Sequence, residues 1–165
     1  MPPTHTTLDL TGTGYCASFH LRRTARAVTR MFDAALQDTG IRSTQFSILV
    51  GIAKHQPVAI GALADVMILA PTTLTRSLRP LEKEGLITIS ERSTMRQRFL
   101  SMTPKGERAL ERSVVVWRKA HEHFLVTVGP EHWDDLRKEL EQLARVVVEL
   151  EEPRENDPVL LNANA

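Results

Sequence analysis

Apolar positions along this chain recur with two different periods, and the changes between them locate the elements. From about residue 15 to 37 they fall three to four residues apart, with Phe19, Val28, Phe32 and Leu36 on one helical face, until Gly40 ends the run. Ser43 or Thr44 then caps a second helix over 45–55, with Phe46, Leu49 and Val50 facing inward. A short helix over 60–67 leads through a turn at 68–71 into another whose first turns carry Thr72, Thr73, Thr75, Arg76 and Arg79. After Gly85 the period drops from about 3.6 to two. Residues 86–90 (Leu-Ile-Thr-Ile-Ser) alternate as a strand, and Phe99 to Met102 return across a basic tip at 92–98. Thr103-Pro104 opens a long helix, a hydroxyl cap followed by a proline whose missing donor does no harm in a first turn. Gly129-Pro130 ends that helix and begins the last one.

Read in order, these elements predict a mainly α fold with a small two- to three-stranded antiparallel wing. A winged helix-turn-helix spans 41–103, between an N-terminal helix at 15–37 and C-terminal helices at 104–152. Residues 1–14, rich in Thr, Pro and Gly, read as a loose arm, and 153–165 as a tail. The two last helices carry seams alternately three and four residues apart: Leu110, Val114, Trp117, His121, Phe124 and Val128, then Trp133, Leu136, Leu140, Leu143, Val147 and Leu150. Such seams close either as internal core or against a second subunit. The dimeric arrangement is preferred because a lone helix-turn-helix touches one half-site, whereas a two-fold pair doubles the contact and fixes its spacing.

Composition adds a class and a compartment. A length of 165 residues with 42% apolar and 25% charged positions fits one ordinary soluble domain. The single cysteine, Cys16, excludes an internal disulfide and suits a reducing compartment. No secretory leader pattern and no apolar run of membrane-spanning length is present, so a cytoplasmic location without membrane contact is expected. The net charge of +1 conceals a segregation. Between Pro71 and Arg108 eight bases face four acids, whereas from Pro130 onward ten acids face four bases. One basic face for a polyanion follows from that division.

The candidate chemistry is nucleic-acid recognition. Small hydroxyls and arginines at a helix start reach both base edges and phosphates, so Thr72, Thr73, Thr75, Arg76 and Arg79 are the leading contacts. Arg92, Arg96 and Arg98 are wing candidates, Arg98 being equally readable as a strand-edge charge. Ser43 and Thr44 offer donors to a phosphate or simply cap their helix. Pro80 removes a donor inside its helix and predicts a bend. His20, Arg23, Trp117, His121 and Phe124 form a candidate ligand cleft, apolar with polar anchors for a carboxylate or phenolate, although Trp117 and Phe124 also read as heptad core. No glycine-rich phosphate loop, nucleophile elbow or persuasive carboxylate pair points to an enzyme or a cofactor. His121 and His123, two apart, fall on different helix faces and do not make a metal site. A winged helix used only for protein contact is the remaining class.

Four blocks in order carry a resemblance over roughly residues 16 to 150. They are Leu21-Arg-Arg-Thr-Ala-Arg-Ala-Val-Thr-Arg30, Gly40-Ile-Arg-Ser-Thr-Gln-Phe-Ser-Ile-Leu49, Thr72-Thr-Leu-Thr-Arg-Ser-Leu-Arg-Pro-Leu-Glu-Lys-Glu-Gly-Leu-Ile87 and Met102-Thr-Pro-Lys-Gly106. The chain resembles the MarR family of bacterial transcription regulators. That resemblance implies a homodimer with interlocked terminal helices, recognition helices in successive major grooves of an inverted-repeat duplex, and wings in the flanking minor grooves. It also implies repression relieved by a small, often phenolic or aromatic, effector. Two departures stand out: the Asp of the family's wing Asp-x-Arg is Thr94 here, with Arg96 retained, and Ala70-Pro71 replaces the usual Asp or Asn cap of the recognition helix. Peroxide-sensing members use a helix-one cysteine; Cys16 falls two residues before that position, which Ser18 occupies, so thiol-based redox sensing is the alternative to a ligand.

Overall fold

The computed structural model describes residues 9–92 and 97–151, with the side chains of all but Arg92 and Glu151. It comprises two compact units divided between Ala120 and His121.

In the first unit, α1 (Ala17–Leu36) is flanked by single 3-10 turns at Thr13–Tyr15 and Gln37–Thr39. There follow α2 (Ser43–His55), β1 (Val58–Ala59), α3 (Ile60–Val66), α4 (Pro71–Lys83), β2 (Ile87–Arg92), β3 (Gln97–Met102) and the start of α5 (Pro104–Val128). The strands form one antiparallel sheet in the order β1-β3-β2. Leu100 pairs with Val58 on one side and Ile89 on the other, which leaves it fully buried at the centre of the sheet. The return strand thus pairs with a third strand as well as with β2.

The core follows from spacing. Leu74, Leu78 and Leu81 lie four and three residues apart on α4 and are all fully buried, so the opposite face of that helix must be the wet one. Leu49 and Ile52 of α2, Leu63 and Ala64 of α3, and Leu36 at the end of α1 close against them. Each fully buried aliphatic side chain contributes about 1.5–3 kcal/mol of transfer free energy. On α2 the inward positions are Phe46, Ile48, Leu49 and Ile52, with Val50 only half-buried. On α5 the buried line is Gly106, Ala109 and Ser113. The expected seam residues Leu110, Val114 and Trp117 sit half-buried beside it, packed at its margin.

Two helices end with the same closure on different residues. At the end of α4, Leu86 donates to the Leu81 carbonyl and Gly85 to that of Glu82, both at 2.9 Å, with Gly85 at φ +69°. At the end of α3, Leu69 donates to Ala64 at 2.9 Å and Ile68 to Asp65 at 3.1 Å, with Ile68 at φ +50°. Both are Schellman closures, whose left-handed residue is ordinarily glycine. A β-branched side chain there costs about 1–2 kcal/mol, and Ile68 recovers little of it because it is 60% exposed. Ile68→Gly is therefore expected to stabilise the fold by roughly 0.5–1 kcal/mol, after the entropy that glycine adds to the unfolded chain. A urea titration that gave a lower midpoint for Ile68→Gly would contradict this account.

In the second unit, the end of α5 and α6 (Pro130–Glu151) carry an aromatic cluster. Phe124 meets Trp133 edge-on at 5.0 Å and stacks on His121 at 6.2 Å. Arg137 and Lys138 pair with Asp134, Asp135 and Glu141 along the outer face of α6, all solvent-exposed and energetically minor. Farther along α6, Leu140, Leu143, Val147 and Leu150 stand exposed. Phe19 and Leu21 of α1 do likewise. Among the described residues no helix is long and apolar enough to cross a membrane.

Candidate nucleic-acid interface

The burial of Leu74, Leu78 and Leu81 decides what α4 offers outward. Thr72, Thr73, Arg76 and Arg79 are exposed and Thr75 is half-buried. Pro71, Thr72, Thr75, Arg76 and Arg79 line one shallow groove of about 370 Å³. Ala70 is the N-cap without a side-chain hydrogen bond and Pro71 the first helical residue. Thr73 and Leu74 both donate to the Ala70 carbonyl, so α4 begins one residue earlier than its hydroxyls suggest. Thr75 Oγ1 donates to the Pro71 carbonyl at 2.8 Å and Ser77 Oγ to that of Thr73 at 3.1 Å. The Thr75 hydroxyl proton is thereby spent within the helix, which leaves its lone pairs and methyl for an outside partner. The helix continues through Pro80 to Lys83, and the missing donor lies opposite the Arg76 carbonyl on the exposed side.

A tight joint fixes α4 to α5. Thr103 caps α5, its Oγ1 accepting from Gly106 N at 3.0 Å while donating to the Gly85 carbonyl at 2.7 Å. Thr103 N donates to the Leu86 carbonyl at 3.0 Å, and Lys105 Nζ to that of Glu84 at 2.6 Å. The carbonyls that end α4 are thus taken up by the residues that begin α5.

The start of α2 has an internal partner. Asp33 Oδ1 of α1 accepts from both Ser43 N and Ser43 Oγ at 2.7 Å. Ser43 therefore carries a carboxylate at the helix start where the sequence offers a phosphate contact, and Thr44 beside it is exposed. The Ser43 N–H first, and its hydroxyl second, hold the Asp33 carboxyl below its ordinary value of 3.8 against a smaller effect of burial. The sign follows: the link stabilises the fold in full above the ordinary value and is lost as pH falls through the lowered one. Asp33→Asn should consequently flatten the acid limb of a stability–pH curve. An unchanged limb would place the acid sensitivity elsewhere.

On the wing, β2 and β3 pair Arg92 with Gln97 and Glu91 with Arg98, both Glu91 and Arg98 being exposed. Arg98 thus faces an acidic cross-strand neighbour, which supports its strand-edge reading alongside the DNA one. Thr94 and Arg96 lie outside the described residues, as does the side chain of Arg92.

Each expected ligand residue has its own neighbours. His20 is exposed, its Nε2 bonded to the Gly14 carbonyl at 2.8 Å. Arg23 lies in a row with Arg26 and Arg30 along α1. Trp117 stacks on Phe46 at 5.7 Å, whereas His121 and Phe124 belong to the second unit. A cavity of about 280 Å³ does form around Trp117, but its other walls are Val28, Thr29, Phe32, Ser43, Thr44, Phe46 and Ser47. Phe32 and Phe46 read in sequence as helix core, and of these walls only Trp117 reads as a ligand residue. Cys16 is exposed at the N-cap of α1. Among the described residues no three His, Cys, Asp or Glu side chains converge as a metal site.

A family model described as "MarR family" matches residues 41–94. A putative transcriptional regulatory protein for the hcr operon of Thauera aromatica is 34% identical over 96 residues, 57% of this chain and 58% of that protein. An uncharacterised HTH-type transcriptional regulator of Staphylococcus aureus is 31% identical over 87 residues, 52% of this chain and 60% of that protein. The chain thus spans less than two thirds of these curated relatives. Among solved structures, the M. tuberculosis transcriptional regulator MosR in complex with DNA superposes with a TM-score of 0.76 at 29% identity, covering 82% of this chain and 98% of that one. The repressor CouR of Rhodococcus jostii, bound to a 23-mer duplex, shares the fold with a TM-score of 0.71 at 21% identity, covering 83% and 98%. The helix-turn-helix and first wing strand lie inside the segment that matches the MarR family model, and the chain is similar in sequence to transcriptional regulators and shares its fold with regulators solved on DNA.

Proposed function

We propose that this protein is a dimeric, sequence-specific DNA-binding transcription regulator of the cytoplasm, a repressor released from its operator by a small aromatic ligand. The observation that carries the reading is the outer face of α4, where Thr72, Thr73, Arg76 and Arg79 stand exposed over a fully buried leucine stripe. A helix held this firmly presents its first turns to a major groove. Arg76 takes a base edge or phosphate, the threonines phosphates or thymine methyls, and Arg79 the backbone. Arg92, Arg96 and Arg98 reach the flanking phosphates from the wing. The DNA-bound MosR relative supports this assignment.

The exposed apolar positions of α6 and α1 support dimerisation, because a row such as Leu140, Leu143, Val147 and Leu150 is unfavourable in water. In this arrangement 15–37 and 104–152 hold two winged helices about 34–36 Å apart, one turn of an inverted repeat. The ligand site of this reading is the cavity floored by Phe32, Phe46 and Trp117, whose rim hydroxyls suit a phenol or carboxylate.

The test is fluorescence anisotropy of the full chain on a duplex from its own promoter region against a scrambled duplex, with sedimentation in parallel. A dimer preferring its own sequence is expected, with a log–log salt slope of about −5 or steeper for six or more neutralised phosphates. A monomer indifferent to both duplexes at low salt would overturn the proposal.

A further inference from the structure

A second cavity, of about 420 Å³, opens where the last turn of α2, the end of β3 and the first turns of α5 meet. We propose that it binds an amphipathic organic cation. Its floor is apolar, made by Ala53, Met102, Leu110 and Val114. Its rim carries Glu107 and Glu111, one helical turn apart on the same face of α5 and both exposed. Like charges at that spacing repel by a few tenths of a kcal/mol, and among the described residues every ion pair lies on α6, so neither glutamate is neutralised by one.

Two helix ends of opposite polarity also meet at the cavity. The cavity sits at the carboxyl end of α2, with Ala53 and Gln56 in its wall, and the unsatisfied carbonyls there amount to about half a negative charge. The bases nearest in sequence, Lys54 and His55 on α2 and Arg108 and Arg112 on α5, are exposed and do not line the cavity. The amino end of α5, at the same place, carries about half a positive charge, so the two glutamates set the sign of the site.

Size and lining decide which cation. The volume lies within the range of about 300–1,000 Å³ typical of organic-ligand pockets. A hard metal ion requires six or more oxygens, whereas two carboxylates over an apolar floor favour a charge attached to a hydrophobic body. The thioether of Met102 adapts readily to such a shape. An anion of equal size meets the same floor and the opposite field. None of this depends on DNA binding.

The test uses two probes of nearly the same shape and opposite charge, tetraphenylphosphonium and tetraphenylborate, titrated calorimetrically into the full chain. The phosphonium is expected to bind at least roughly tenfold more tightly than the borate. Glu107→Gln with Glu111→Gln should abolish that preference without changing the melting temperature. Ala53→Trp, which fills the floor and leaves every charge in place, should block the phosphonium even if the glutamine variant folds less well. Equal binding of the two probes, phosphonium binding untouched by either variant, or no phosphonium binding at all, each overturns the assignment.

Discussion

Gly106→Ala is expected to lower the melting temperature by roughly 10 °C, from a loss of about 3 kcal/mol. A Cβ built on Gly106 would stand 2.0 Å from the Leu86 carbonyl oxygen and 2.9 Å from its carbon. Those atoms are backbone, pinned by the bond from Thr103 N, so no rotamer change relieves the clash. Either α5 retreats from the start of β2 or the Thr103 cap opens, and both sacrifice buried contacts and hydrogen bonds. Two other glycines are controls. A Cβ on Gly51 would meet only the flexible end of Leu63 at 2.9 Å, and one on Gly61 meets nothing within 4 Å. Gly61→Ala should be neutral or stabilising by up to about 1 kcal/mol. Thermal melts of the three variants decide it: if Gly106→Ala melts with Gly61→Ala, the close approach has no energetic consequence.

Arg76→Ala is expected to weaken operator binding on the order of 10- to 100-fold while leaving the melting temperature unchanged. The side chain is exposed and has no resolved intramolecular partner among the described residues, so its removal leaves the fold intact. Arg79→Ala should behave differently, weakening specific and scrambled duplexes alike and reducing the salt slope by about one. Anisotropy titrations of both variants on both duplexes separate the roles. Normal discrimination by Arg76→Ala would remove it from the base-reading set and shift that role to the threonines.

Features governed by nearest neighbours were legible in the chain. Gly40, Gly85 and Gly129 mark helix ends because each sits at positive φ, and Thr103-Pro104 marks a start through its own side-chain cap. The leucine stripe of α4 and the alternation of 86–90 reflect burial on one side, which periodicity reports directly. What stayed hidden depends on distant partners. The strand β1 is two residues long, too short for any period, and exists through pairing with Phe99 and Leu100. Neither Ser43 nor Thr44 caps α2: the N-cap is Arg42, whose N–H is taken by Gln45 Oε1, and Ser43 bonds instead to Asp33, ten residues away on another helix. Ile68 occupies a position where sequence rules expect glycine, so its closure was invisible. The surroundings of the ligand candidates depend on distant partners in the same way: heptad spacing puts Trp117 and His121 on one seam of α5, but it does not say what each ring meets. Trp117 faces Phe46.

The bonds that join Glu84, Gly85 and Leu86 to Thr103 and Lys105 also make α4 a pointer mounted at its tail. The anchored end is the carboxyl end; the amino end, at Pro71, lies a whole helix away. Thirteen residues span about 20 Å, so a rotation of about 10° transmitted from α5 sweeps the far tip through about 3 Å. That displacement equals the length of a hydrogen bond. If α4 is the DNA-reading helix as proposed, small angular changes at the start of α5 would be magnified into the difference between engaging a groove and missing it.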